Sequence, residues 1–204
     1  MHTITFLSQK GGSGKTTLAV HVAVAAAEAG EQVVLVDTDI QKSATTWGEN
    51  RNEATPVVAT VPAGDIPRVT AAAEVEGMTI MLIDTAPHAA PDASRAVIAS
   101  DLVIIPCRPT AFDLAAVGNA VDIVKAGKGK AVFVLSACPP RAPEVAEARQ
   151  LLAGYGFAIA PVEITERRAF ARAVAIGRAV TEFESSGKAA EEIRTLWRWI
   201  KEQL

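Results

Sequence analysis

The sequence predicts an α/β fold in which a parallel, or mostly parallel, β-sheet is flanked by helices on both faces. Short apolar runs alternate with longer helix-like segments along the chain, the order expected of a sheet crossed by helices. Most of the apolar runs are near-continuous in Val, Ile, Leu and Phe, as in strands buried on both faces. The chain has 204 residues, half of them hydrophobic, which suits one domain spanning 1–204 with a sizeable core.

The strands are expected at Thr3–Ser8, Gln32–Asp37, Pro56–Thr60, Thr79–Asp84, Leu102–Pro106, Lys130–Ser136 and Phe157–Val162. Helices are expected between them at Lys15–Ala29, Ile66–Val75, Asp92–Ala99, Leu114–Lys125 and Pro143–Leu152, with a last one from about Lys188. Gly30 stands just past the first helix, where a left-handed cap suits glycine. In the last helix Ile193, Leu196, Trp197, Ile200 and Leu204 share one face and Arg194, Arg198 and Lys201 the other, while Trp199 fits the stripe least well.

Composition narrows the function. A net charge of −3 sets the chain apart from strongly basic nucleic-acid binders, so any DNA contact must come from a local patch. Cys107 and Cys138 are too few for a disulfide framework and match no metal spacing, which fits reduced thiols in a cytoplasmic protein. Membrane-spanning helices need about 18 consecutive apolar residues, and no run reaches that length. The chain enters its first strand almost at once, so neither a leader nor an N-terminal DNA-reading domain is expected.

The sharpest local signal is Gln9-Lys10-Gly11-Gly12-Ser13-Gly14-Lys15-Thr16-Thr17, between the first strand and the first long helix. Glycines let the backbone curl so that successive N–H groups converge on phosphate oxygens. The helix behind them aims its positive end at the same anion. Gly11 to Thr17 therefore form the expected cradle for ATP or ADP, with Lys15 reaching the outer phosphates and the Thr16 hydroxyl binding Mg²⁺. Two further strands end in acid, at Asp37-Thr38-Asp39 and at Asp84. Ligands in open α/β sheets gather at this carboxyl edge, and the carboxylates there can hold Mg²⁺ and orient a water.

One feature departs from the usual phosphate loop. The position five residues before Gly14 holds Gln9 instead of glycine, and Lys10 precedes the glycine pair. This arrangement resembles the deviant Walker A family, which includes ParA, MinD, nitrogenase iron protein and ArsA. The resemblance implies a P-loop fold and an ATPase in which Lys10 crosses a dimer interface to the partner's nucleotide. It further implies that Asp39 positions the attacking water, that Asp84 supports Mg²⁺ through water, and that Asp37 is a secondary supporter. The Asp37–Ser43 loop, with Gln41 retained and Ile40 where proline is usual, looks like the ParA branch. So do Pro106-Cys107-Arg108-Pro109, Phe112-Asp113-Leu114, and the stretch from Arg167 to Arg172 with Gly177 and Glu182. Ser136 to Arg141 stands where relatives carry part of the adenine pocket, which makes Pro139 and Arg141 candidates for it.

A ParA-like role implies a nucleotide-dependent homodimer, or a higher assembly, that binds DNA nonspecifically. A ParB-like or other adaptor would stimulate hydrolysis, and the ATP state would sit on the nucleoid. Arg167, Arg168, Arg172, Arg178 and Lys188 form the densest basic stretch, with Glu163, Glu166 and Glu182 as possible neutralising partners. The rival is a MinD-like spatial regulator whose last helix lies in a membrane interface. Packing of that helix onto the sheet is the reading preferred here.

Overall fold

The computed structural model describes residues 1–87 and 89–204. The sheet has seven strands in the order β3-β2-β4-β1-β5-β6-β7, and every pairing is parallel. The strands are β1 (His2–Phe6), β2 (Val33–Asp37), β3 (Val57–Thr60), β4 (Ile80–Asp84), β5 (Leu102–Cys107), β6 (Ala131–Leu135) and β7 (Ala158–Ile159). The helices are α1 (Lys15–Glu28), α2 (Ser43–Glu49), α3 (Ile66–Val75), α4 (Ala90–Ile98), α5 (Ala111–Ala126), α6 (Pro143–Ala153), α7 (Arg168–Val174), α8 (Val180–Phe183) and α9 (Lys188–Glu202).

Because side chains alternate along a strand, each apolar run feeds both faces of the sheet. Val33 and Leu35 face α1 and α9, whereas Val34 and Val36 face the core that includes Ile66 and Ala73 of α3. On the other half of that second face, Val103, Ile105 and Phe133 pack against α4, α5 and α6. Helix α1 is rich in Ala and Val, and ten of its residues are buried, which lets it lie close against the sheet.

Helix α9 settles where its apolar stripe goes. Ile193, Leu196, Trp197 and Ile200 are all buried in the core shared with α1, and Trp199 is only half-buried. Burying such side chains stabilises by about 1.5–3 kcal/mol each, so the stripe is committed to the fold. Among the described residues, no helix is long and apolar enough to cross a membrane.

Short helices α2, α7 and α8 have no counterpart among the elements expected from the sequence. Each is four to seven residues long, too short for helical periodicity to show in the sequence. A clasp joins them instead. Arg51 forms two hydrogen bonds to Glu182, at 2.8 and 3.1 Å, and stacks on Trp47 at 4.6 Å. Trp47 donates its indole N–H to the Arg178 carbonyl. Gly177 passes so close to α2's end that a Cβ there would lie 2.3 Å from the Asn50 oxygen.

Candidate nucleotide site

Strand order brings the site together. The strand β1 lies between β4 and β5, so the loops after β1, β2, β4 and β5 open on the same carboxyl edge. Register then sets the acids side by side. Asp84 is the cross-strand partner of both Phe6 and Asp37.

The loop after β1 is built to hold an anion. Gly12 and Gly14 have φ of +73° and +95°, a backbone turn that a side chain would strain. Helix α1 has no side-chain cap and no acid in its first turn, so its leading N–H groups stay available. Ser136 donates its hydroxyl to the Ser13 carbonyl at 3.1 Å, which pins the loop to the end of β6. The Ser13 hydroxyl is buried without a partner among the described residues. Lys15 is buried too, and desolvation lowers its pKa from the usual lysine value, against the opposing pull of Asp84 and Asp39. Asp39, Gln41 and Pro87 complete the wall of this cradle, about 270 Å³ in volume.

Asp84 is 1% exposed and accepts the Thr16 hydroxyl on one oxygen at 2.6 Å, while its other oxygen is buried and has no partner among the described residues. Burial pushes its pKa up to about 7; the Thr16 bond opposes this, as does Lys15, while Asp37 and Asp39 add to the rise. A buried acid with an idle oxygen beside a hydroxyl suits a hard cation. No cluster of three metal-ligating side chains exists among the described residues. Mg²⁺ at nucleotide sites is held by one or two protein ligands plus phosphate oxygens, so this sparse donor set fits it.

Asp37 is fully buried at the end of β2. One of its oxygens accepts from the Asp39 N–H at 3.0 Å, and the other from the Thr45 N–H and hydroxyl at 2.9 and 3.0 Å. Its carboxylate shapes the loop, holds the start of α2 and so anchors Asp39. Asp39 itself is half-buried at the cradle wall and accepts from the Gln41 N–H at 2.9 Å.

Lys10 is found in its own chain's grasp. Its ammonium donates to Asp113 at 2.6 Å, and the Thr110 hydroxyl donates to the same oxygen at 2.6 Å. Thr110 also caps α5. Thr110-x-x-Asp113 is a helix-start pattern readable in the sequence on its own.

A second cavity of about 470 Å³ adjoins the cradle at Gly14 and Thr17. Its walls come from Leu18, Ser136, Ala137 and residues 164–175, with Phe170 prominent. Pro139 and Arg141 are not on those walls; both are exposed. Cys138 bridges to Thr165, through Cys138 N–H to Ile164 and Glu166 N–H to Cys138, and the chain beyond it turns outward with Arg141 at φ +59°. Only the first part of the expected segment, Ser136 and Ala137, reaches the cavity.

The CobQ/CobB/MinD/ParA nucleotide-binding domain matches residues 4–180. The chain belongs to this family. A relative from Gloeobacter kilaueensis, maintenance of carboxysome distribution protein A, is 32% identical over 205 residues, 98% of this chain and 93% of the relative. The chromosome partitioning protein ParA of Caulobacter vibrioides is 31% identical over 143 residues, 69% of this chain but 48% of that protein. Among solved structures, apo McdA of Cyanothece superposes with a TM-score of 0.79 at 16% identity, covering 100% of this chain and 99% of that one. This membership makes the chain a nucleotide-binding protein with the P-loop fold.

The basic stretch is less neutralised than its composition suggests. Glu163 pairs with Arg149 and Glu182 with Arg51, so neither offsets the cluster. Arg167 is tied to Glu192 and Arg172 stacks on Phe183 at 5.2 Å. Arg168, Arg178 and Lys188 are exposed and form no ion pair among the described residues.

Proposed function

We propose that this protein is a Mg²⁺-dependent ATPase of the ParA type that closes into a dimer around two nucleotides. In that state it binds DNA without sequence preference and positions a plasmid, chromosome or other cargo. An adaptor protein stimulates hydrolysis and resets the cycle, which places the protein in the cytoplasm, on the nucleoid while ATP is bound. The observation that carries the reading is Lys10, a cation beside the cradle that the loop's own phosphate-binding groups do not need. Likeness along nearly the whole chain to a carboxysome distribution protein supports positioning as the task.

The chemistry follows from the residues. Phosphoryl transfer to water needs positioning and charge neutralisation more than covalent help. The Gly11–Thr17 backbone and Lys15 orient and neutralise the outer phosphates, and Asp39 holds the attacking water. Thr16 and Asp84 would hold Mg²⁺, which would supply further charge neutralisation at the phosphates. Lys10 in trans acts as an arginine finger does, so the lone protomer is slow and closure completes the site.

ATPase assays with and without DNA, on wild type and Lys10→Ala, test the proposal together with sedimentation in ATP. Loss of both dimer and activity in the variant is expected. Equal activity and an unchanged monomer–dimer balance would sink the trans-lysine claim. Asp39→Ala should keep ATP binding and dimerisation while hydrolysis collapses, and full hydrolysis in that variant would remove Asp39 from its role. A membrane-associated reading gains nothing from α9, whose apolar face is buried.

A further inference from the structure

The cradle and the neighbouring cavity have three residues in common, Gly14, Thr17 and Arg108. The first two belong to the phosphate loop. Arg108 comes from a separate element, the segment just after β5, and reaches the seam because β5 pairs directly with β1. Its backbone is held firmly: the carbonyl before it accepts from Ser136 N–H at 2.9 Å, and its own carbonyl accepts from Thr110 N–H at 2.8 Å. Its side chain is exposed and pairs with no carboxylate among the described residues. The other cation on the cavity wall, Arg167, is already engaged by Glu192 at 2.8 Å.

A nucleotide with its outer phosphates in the cradle and its base in the cavity must lay its innermost phosphate across the seam. We infer that Arg108 is a nucleotide-binding residue that clamps the α-phosphate in cis. A guanidinium fork suits a phosphate at such a point, and its planar, fixed donors lose little freedom on binding. The inference rests on the nucleotide reading above and adds a consequence to it. An α-phosphate contact is present with ADP as well as ATP, so Arg108 sets how firmly the product is retained and leaves the ATP-to-ADP preference to other groups.

Calorimetric titration of ADP and of slowly hydrolysed ATPγS, each with Mg²⁺, into the full chain tests it for wild type, Arg108→Ala and Arg108→Lys. Arg108→Ala should weaken both nucleotides by the same factor, about tenfold to a hundredfold for a charge-assisted contact. Arg108→Lys should recover part of the loss, keeping the charge without the fork. The thermal midpoint without nucleotide should not move, since the side chain is exposed and unpaired. Unchanged affinity for both nucleotides in Arg108→Ala would overturn the inference while leaving the wild-type site intact. Weakening confined to ATPγS would also overturn it, because the contact would then be to the terminal phosphate. A wild type that binds neither nucleotide would instead refute the reading on which it rests.

Discussion

Replacing Asp113 with Asn should tighten the ATP-bound dimer, because Lys10 cannot serve a partner's nucleotide while Asp113 holds it. The two side chains meet at 2.6 Å, with Asp113 7% exposed and Lys10 35% exposed. Exposed pairs are worth up to about 1 kcal/mol and breaking a buried pair costs about 3–5 kcal/mol. A pair with one buried and one partly solvated member falls between, at about 1–2 kcal/mol. Both protomers must let go, so the restraint on closure is about 2–4 kcal/mol per dimer, or roughly thirtyfold to several hundredfold in the dimer constant. Asparagine keeps the size of the side chain and an oxygen for the Thr110 hydroxyl, so α5 keeps its cap. Sedimentation velocity over a protein concentration series in ATP measures the effect, in an Asp39→Ala background that prevents turnover. The Lys10→Ala, Asp113→Asn double variant should lose the gain, which closes the cycle on this pair. A dimer constant within threefold of the parent, or a weaker dimer, would refute the idea that the cis pair restrains closure.

Other expectations reach the fold and the surface. His21 is wholly buried, accepts the Val180 N–H on one nitrogen at 3.1 Å, and has its pKa lowered by desolvation from 6.5 to about 3. The unfolded chain therefore takes up the proton first: this contribution to stability is complete above pH 6.5 and is lost as pH falls toward 3, by about 1.4 kcal/mol per pH unit. Urea unfolding at pH 6.5 and 5 should show wild type losing about 2 kcal/mol more than His21→Asn; parallel losses would contradict it. Reversing charge with Arg168→Glu and Arg178→Glu should weaken nonspecific DNA binding and flatten its salt dependence, with DNA-free ATPase activity unchanged. Filter binding across a salt series reads this, and an unaltered slope would move the DNA surface elsewhere. Removing the chain from Ile193 onward should unfold the protein, since four buried side chains of the core go with it, and a folded, merely delocalised truncation would return α9 to a membrane role.

The parts legible in the sequence are those whose chemistry is local. A continuous apolar run ending in acid signals both a buried strand and its functional edge, which is why Asp84 could be placed beside Thr16 although 68 residues separate them. The phosphate loop is legible for the same reason, since glycine, lysine and threonine act through their own neighbours. Asp37 shows where this stops. A strand-end aspartate can support a metal, shape a loop or do both, and the sequence does not show that Thr45 and the Asp39 N–H reach its oxygens. The cavity beside the cradle is illegible for a different reason: part of its wall is α7, seven residues long, which leaves no periodic trace, and the Pro139 and Arg141 expected at the adenine are exposed and off that wall.

Lys10 and Arg108 show what is gained once pairing across the sheet is known. Both are cations near one site, and the sequence ranks Lys10 far above Arg108 because it lies inside the motif. Geometry reverses their immediate roles. The motif lysine is held 2.6 Å from a carboxylate of its own chain and, in the proposed trans role, must be released to act, whereas the arginine outside the motif forms no ion pair among the described residues and lines both cavities. A cation already paired adds a cost to whatever requires it elsewhere, and that cost can gate assembly. An unpaired one adds affinity as soon as a ligand arrives. The two should therefore separate in experiment, with Asp113 substitutions moving the dimer constant in ATP and Arg108 substitutions moving the affinity of the monomer for ADP.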